Sequence, residues 1–271
     1  ATGIGASGHS ITSVEMDGDI SVETASGGAV GIGAEMFSGT TVTGLNDLTV
    51  AANGGKAIGI GADAYGTADV SMTGDINVEN ADGNAYGAAA SNISQVYLTG
   101  AKAMVVSSDA GDAYGVNAYN GSLVSGDVES ITVTATGDAY GAVAELASGI
   151  DLVMSGDMSV TSTSAGDAAG IGALNQSGVT TAGLDDLTVT ANAGNATGIG
   201  SALLSSADVD MTGTINVRTN NGTAAGILAE AGSRTSVSMD ADKSNNDIYV
   251  HSLSGGNAYG MVASGDSEIV F

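Results

Sequence analysis

GGKAIGIGADAYGTADVSMTGDINVENADGNAYGAAA, residues 54–90, holds one complete repeat unit and the start of the next. AIGIGA at Ala57 returns as AYGAAA at Ala85, 28 residues later. Outward in both directions the same pattern recurs: Ala, any residue, Gly, an apolar residue, a variable residue, Ala or Ser. It reads ATGIGA at Ala1, AVGIGA at Ala29, AYGVNA at Ala113, AYGAVA at Ala139 and AAGIGA at Ala168. It continues as ATGIGS at Ala196, AAGILA at Ala224 and AYGMVA at Ala258. The spacing is 28 with small drifts, and the largest insertion falls at Asp240–Asn246. A fixed period of this kind is the signature of a solenoid.

A second motif runs in phase with the first. An apolar residue, an outward residue and Val recur at Ile20/Val22, Leu48/Val50, Ile76/Val78, Met104/Val106 and Ile131/Val133. They recur again at Met158/Val160, Leu187/Val189, Ile215/Val217 and Ile248/Val250. Period-2 alternation predicts a strand with these residues facing in. Between the two motifs lies a third segment, marked by Val14/Met16, Val70/Met72, Leu152/Met154, Val209/Met211 and Val237/Met239. Gly-Asp pairs follow it at Gly18-Asp19, Gly74-Asp75 and Gly156-Asp157, and predict tight turns.

The predicted fold is therefore all-β: a three-sided parallel β-solenoid of about ten coils of about 28 residues. Coils rising about 4.8 Å each make a rod roughly 45 Å long. SGTTVTGLNDLTVAANGGKAIGIGA from Ser38 matches SGVTTAGLDDLTVTANAGNATGIGS from Ser177, an offset of 139. The chain reads as a single solenoid over 1–271, a duplicated five-coil block spanning 1–138 and 139–271, with the last coil incomplete.

Composition agrees. Pro and Cys are both 0, so every backbone N–H is available to a ladder and no disulfide or thiolate metal site exists. The hydrophobic fraction of 43% is too high for disorder, although the net charge is −25. That charge repels nucleic acid and anionic membrane. No run approaches the roughly 20 apolar residues of a membrane span, so no membrane insertion is expected.

The phased repeats, such as GDAYGVNA (Gly111–Ala118) and GDISV (Gly18–Val22), resemble the passenger repeats of bacterial autotransporter adhesins and filamentous-haemagglutinin-like secreted proteins. The resemblance spans essentially the whole chain. It implies a β-helix on the cell surface, with a role in adhesion, aggregation or display.

Chemistry-bearing residues are sparse. The two His, His9 and His251, fall in coils one and nine, and no Ser-His-Asp arrangement is evident. Gly3-Ile4-Gly5-Ala6-Ser7-Gly8 fits a dinucleotide-binding pattern formally, but inside a Gly-rich repeat it reads as structural. Carboxylate pairs occur at Asp17/Asp19, Asp185/Asp186 and Asp208/Asp210, and their repetition along the rod marks turns. No enzyme is expected. No cofactor is expected either. Ca²⁺ is the one candidate ion, at acidic turn residues Asp19, Asp75, Asp127 and Asp157, which would repel one another unless screened or bridged. Tyr86, Tyr114 and Tyr140 share one phase on successive coils, with Tyr259 further on, and predict a stacked ladder. Hydroxyl pairs Thr132/Thr134 and Thr188/Thr190 suggest an ice-binding array, which Glu23, Glu79, Arg218 and His251 interrupt.

The expected function is that of an extracellular or cell-surface structural protein, a solenoid subunit stacking head-to-tail with copies of itself into a fibre. The assembly interface is expected at Ala1, Gly3, Ile4 and Ala6 on one end and at Ile269, Val270 and Phe271 on the other. The alternative is a segment of a cell-surface adhesin that binds a glycan or receptor through outward side chains.

Overall fold

The computed structural model describes residues 1–240 and 247–271, so most of the insertion read at 240–246 lies outside the described residues. The described residues contain no helix; they form stacked parallel strands, a β-solenoid as the repeat predicts. The Ala-x-Gly motif builds the first ladder. Ten strands, from Thr2–Ser7 and Ala29–Glu35 through to Ala224–Glu230 and Ala258–Ser264, lie side by side in one sheet. Register sets motif on motif: Ile4 pairs with Ile32, Ile32 with Ile60, Ile171 with Ile199.

The invariant glycine of that motif has a steric cause. A Cβ on Gly31 would come within 2.6 Å of the Gly59 carbonyl oxygen and 2.7 Å of Leu48 Cδ1. Gly115 is equally crowded, by the Gly141 carbonyl oxygen at 2.5 Å and Ile131 Cγ2 at 2.7 Å. The first ladder thus presses against the Ile/Leu-x-Val ladder across a thin core, and only hydrogen fits between.

The other two segments of each coil form two further ladders, but not two separate sheets. They join into one bent 15-stranded sheet. In four coils both segments run through as one strand: Ile11–Thr24, Gly39–Ala52, Gln95–Ser108 and Leu123–Ala135. Elsewhere they part, as in Thr67–Met72 and Ile76–Asn80. The expected Gly-Asp turn is corrected accordingly. Gly18-Asp19 lies inside a continuous strand, while Gly74-Asp75 and Gly156-Asp157 sit in the short breaks. Several corners are bulges at a different glycine: Gly44, Gly100 and Gly183 have φ of 75, 79 and 75°. A Cβ there would strike the carbonyl oxygens of Met16, Met72 and Met154 respectively, at 2.2 to 2.4 Å. Gly44 and Gly183 occupy equivalent places in the two matching sequence blocks, and the ladder shifts register beside each.

A third corner follows the first ladder, and here every coil places two consecutive residues in the left-handed region. The pairs include Met36-Phe37 (φ 56 and 60°), Asn92-Ile93 (56 and 61°), Asn120-Gly121 (56 and 71°) and Leu203-Leu204 (60 and 61°). Their N–H groups bond to the turn of the next coil, as in His9 to Met36 O at 3.0 Å and Ile93 to Asn120 O at 3.0 Å. A Ser stands next in most coils. Ser94, Ser122, Ser148, Ser177 and Ser205 are buried, and the hydroxyl of each accepts the backbone N–H of its counterpart one coil earlier, at 3.1–3.2 Å.

The core is a single apolar column in which Ile32, Leu48, Ile60, Ile76, Met104, Ile131 and Met158 are fully buried. The strands of the first and last coils are largely exposed. Between them about eight turns enclose the core, fewer than the ten coils read from the sequence.

Candidate functional site

The rod has two kinds of surface on which function can sit, its ends and its flanks. At one end Ala1 and Gly3 are exposed, Ile4 is half-buried against the core, and Ala6 is buried. The Ala1 ammonium donates to the Gly28 carbonyl at 2.8 Å, which ties the first residue to the second coil. The strand Thr2–Ser7 pairs on one side only. At the other end Ile269 and Val270 are half-buried and Phe271 is exposed. Neighbouring apolar side chains are open too: Ile11 is 86% exposed at one end, and Met261 is 51% exposed at the other.

The acidic turn residues resolve into distinct rows. Asp19 Oδ1 accepts the Asp47 N–H at 3.3 Å, Asp47 Oδ1 the Asp75 N–H at 2.8 Å, and Asp75 Oδ1 the Ala103 N–H at 3.2 Å. Asp157 Oδ1 likewise accepts the Asp186 N–H at 3.1 Å. Asp127 does not belong to this row: it pairs with Val153 inside Leu123–Ala135 and its Oδ2 accepts the Gly100 N–H at 2.6 Å. Of the four acidic turn residues, Asp127 therefore stands off the row to which Asp19 and Asp75 belong. These carboxylates cap the backbone of an adjacent coil, and no group of three or more potential metal ligands exists among the described residues. A second row was not anticipated. Asn84, Asp112, Asp138 and Asp167 each accept the N–H of the equivalent residue in the next coil, at 2.7–3.1 Å. Its sequence signal is the Asp or Asn that precedes the Ala-x-Gly motif in five successive coils, from Asn84 to Asn195.

The tyrosines stack as expected. Tyr86 and Tyr114 lie 4.8 Å apart at 4°, and Tyr114 and Tyr140 lie 4.9 Å apart at 18°. Lys56 Nζ sits 5.4 Å from the Tyr86 ring centre, and Tyr140 donates to Asp138 Oδ2 at 3.2 Å. Tyr259 stands apart, paired with Ala225. A second aromatic row, His9–Phe37–Tyr65, stacks at the left-handed corner with centres 5.1 and 4.6 Å apart. It mixes three residue types and was not legible as a ladder. His251 lies on another face, opposite Arg218.

The carboxylate pairs serve the turns or stand in solvent. Asp185 and Asp186 accept the hydroxyls of Thr212 and Thr214. Asp208 and Asp210 are exposed on Ser206–Met211. The hydroxyl pairs are adjacent in register, Thr132 to Ser159 to Thr188 and Thr134 to Thr161 to Thr190, and Arg218 follows Thr190.

No family model, no curated protein and no solved structure matches this chain. What is established is the β-helix repeat fold. No helix of the described residues is long and apolar enough to cross a membrane.

Proposed function

We propose that the chain is an extracellular structural protein whose solenoids stack end to end into a surface fibre. The observation that carries this reading is the environment of one glycine. Gly3, Gly31, Gly59, Gly87 and their later equivalents each face the carbonyl oxygen of the next coil's glycine, 2.5–2.6 Å from a notional Cβ. Gly260, the same residue of the last coil, has nothing within 4 Å. The first strand of a second copy carries the same motif and fits that place: Gly3 over Gly260 and Ile4 over Met261, which is otherwise half-exposed. Backbone pairing and apolar burial would both be gained at the junction.

Net charge −25 opposes association at low salt, and screening favours it.

Negative-stain electron microscopy across a concentration series, with added salt, tests the reading. Rods growing well beyond roughly 45 Å support it. Gly260→Val should abolish growth and leave the subunit folded, because the added side chain meets nothing within the subunit but blocks the incoming strand. Rods of one fixed length at every concentration sink the proposal.

A further inference from the structure

The outer face of the first ladder carries a trough that no folding requirement explains. Three columns of side chains point out from each strand. One runs Val30, Ile58, Tyr86, Tyr114, and another runs Glu35, Asp63, Ser91, Tyr119. Between them runs Gly5, Gly33, Gly61, Ala89. The middle column is low over the first four coils and then rises at Asn117 and Val143. The result is a hollow of about 480 Å³ that continues into a second of about 320 Å³, sharing Val30, Gly33 and Glu35. Both lie in the size range of ligand sites.

The middle column differs from the motif glycine. At Gly33 and Gly61 φ is not positive. A Cβ at Gly61 would meet only the Ile58 Cγ2 methyl closely, at 3.0 Å, with the Ala89 oxygen at 4.0 Å. Ala89, Asn117, Val143 and Leu228 occupy the same place in other coils without disturbing the ladder. The fold therefore tolerates side chains there, and the trough is open because small residues stand in the early coils.

The walls carry complementary chemistry. One is apolar and aromatic, with Tyr86 and Tyr114 stacked on each other and the Lys56 ammonium 5.4 Å from the Tyr86 ring centre. The other offers carboxylates and hydroxyls, with Asp63 fixed by hydrogen bonds from Ser91 Oγ at 2.8 Å and Asn92 Nδ2 at 2.7 Å. Asn117 closes the far end.

We propose that this trough binds a neutral oligosaccharide lying along the rod. A sugar chain presents apolar C–H surface to one wall and hydroxyls to the other. Polyanionic glycans are disfavoured, because Glu35, Asp63 and Glu145 outnumber the one ammonium in a chain of net charge −25. Over Ala29–Glu35, Ala57–Asp63 and Ala85–Ser91 an extended peptide has no strand edge to join, because these floor strands are paired on both sides, and only Thr2–Ser7 keeps an open edge. This site is independent of end-to-end stacking.

The test uses the full chain at a concentration where it sediments as one species. A panel of immobilised neutral hexasaccharides, β-1,4-glucan, N-acetylated chitin and mannan fragments, is screened beside heparin and oligolysine. At least one neutral glycan should bind. Gly61→Val should weaken that binding by at least about tenfold. Gly200→Val, in the same column outside the trough, should leave it unchanged, with circular dichroism confirming that both variants fold. No neutral glycan binding below about 1 mM, equal binding by Gly61→Val, equal loss in Gly200→Val, or binding confined to heparin or oligolysine overturns the proposal.

Discussion

A Cβ placed on Gly59 would sit 2.5 Å from the carbonyl oxygen of Gly87, the equivalent residue one coil on. One and two coils later, Met104 and Ile131 side chains crowd Gly87 and Gly115 in the same way. Gly59→Ala therefore forces the first ladder away from the core. We expect a loss of about 2–3 kcal/mol, read as a lower denaturant midpoint, since overpacking of a tight core costs this order. Gly61→Ala, two residues along the same strand, should be nearly neutral, because Ala89 already occupies that column. Equal effects of the two substitutions would refute the steric account.

The buried serine row makes a second prediction. Ser148 Oγ accepts the Ser122 N–H at 3.2 Å, and the Ser148 N–H donates to Ser177 Oγ at 3.1 Å. Ser148→Ala leaves a buried N–H without its acceptor, at a cost of about 1–3 kcal/mol. Hydrogen exchange at the Ser122 amide should accelerate locally. Unchanged exchange there would show that the hydroxyl is not the acceptor in solution.

Strain at the left-handed corner is relievable. Ile93 has φ of 61°, a conformation that β-branched residues resist, and its side chain is 54% exposed. The next coil uses Gly121 at the same place. Ile93→Gly should raise stability by about 1 kcal/mol, the left-handed cost net of the added chain entropy. A lower unfolding midpoint for this variant would mean that Ile93 is held by contacts outweighing its strain.

The stacked phenols couple stability to alkaline pH. Burial, then the neighbouring Tyr86 and Tyr140, push the Tyr114 phenol well above its usual 10.0. Burial, then Asp138, does the same at Tyr140. The folded state thus keeps protons that the unfolded chain releases. This stabilising contribution is complete below about pH 10 and is lost as pH rises above it. Denaturant midpoints at about pH 9 and pH 11 should differ, and Tyr114→Phe with Tyr140→Phe should reduce that difference. Phenolate absorbance at pH 10 that drops when Tyr114 and Tyr140 are both replaced by Phe would contradict the burial of these two rings.

Much of the fold was legible from particular residues. The Ala-x-Gly motif and the Ile-x-Val pairs recur in phase, and the register they imply, Ile4 on Ile32 and Val50 on Val78, is the register observed. The Tyr86–Tyr114–Tyr140 stack follows from the same phase. The corners were less legible. Gly18-Asp19 looks like a turn yet lies within a strand, while the bulges sit at Gly44, Gly100 and Gly183. Gly126-Asp127 carries the same Gly-Asp signal as Gly74-Asp75, yet in that coil the row position is held by Ser130, which pairs with Ala103.

Sequence alone determined the period, the inward face and the stacking direction, because each coil repeats the same short-range alternation and stacking adds identical neighbours. Tertiary structure alone decided the corners, the count of enclosed turns and the trough beside Tyr86. Those depend on which side chains meet across about 28 residues of chain, and on small local shifts that periodicity averages away. Whether the Gly61 column is a floor or a filled ridge is set by the heights of its neighbours, which only the stacked coils bring together.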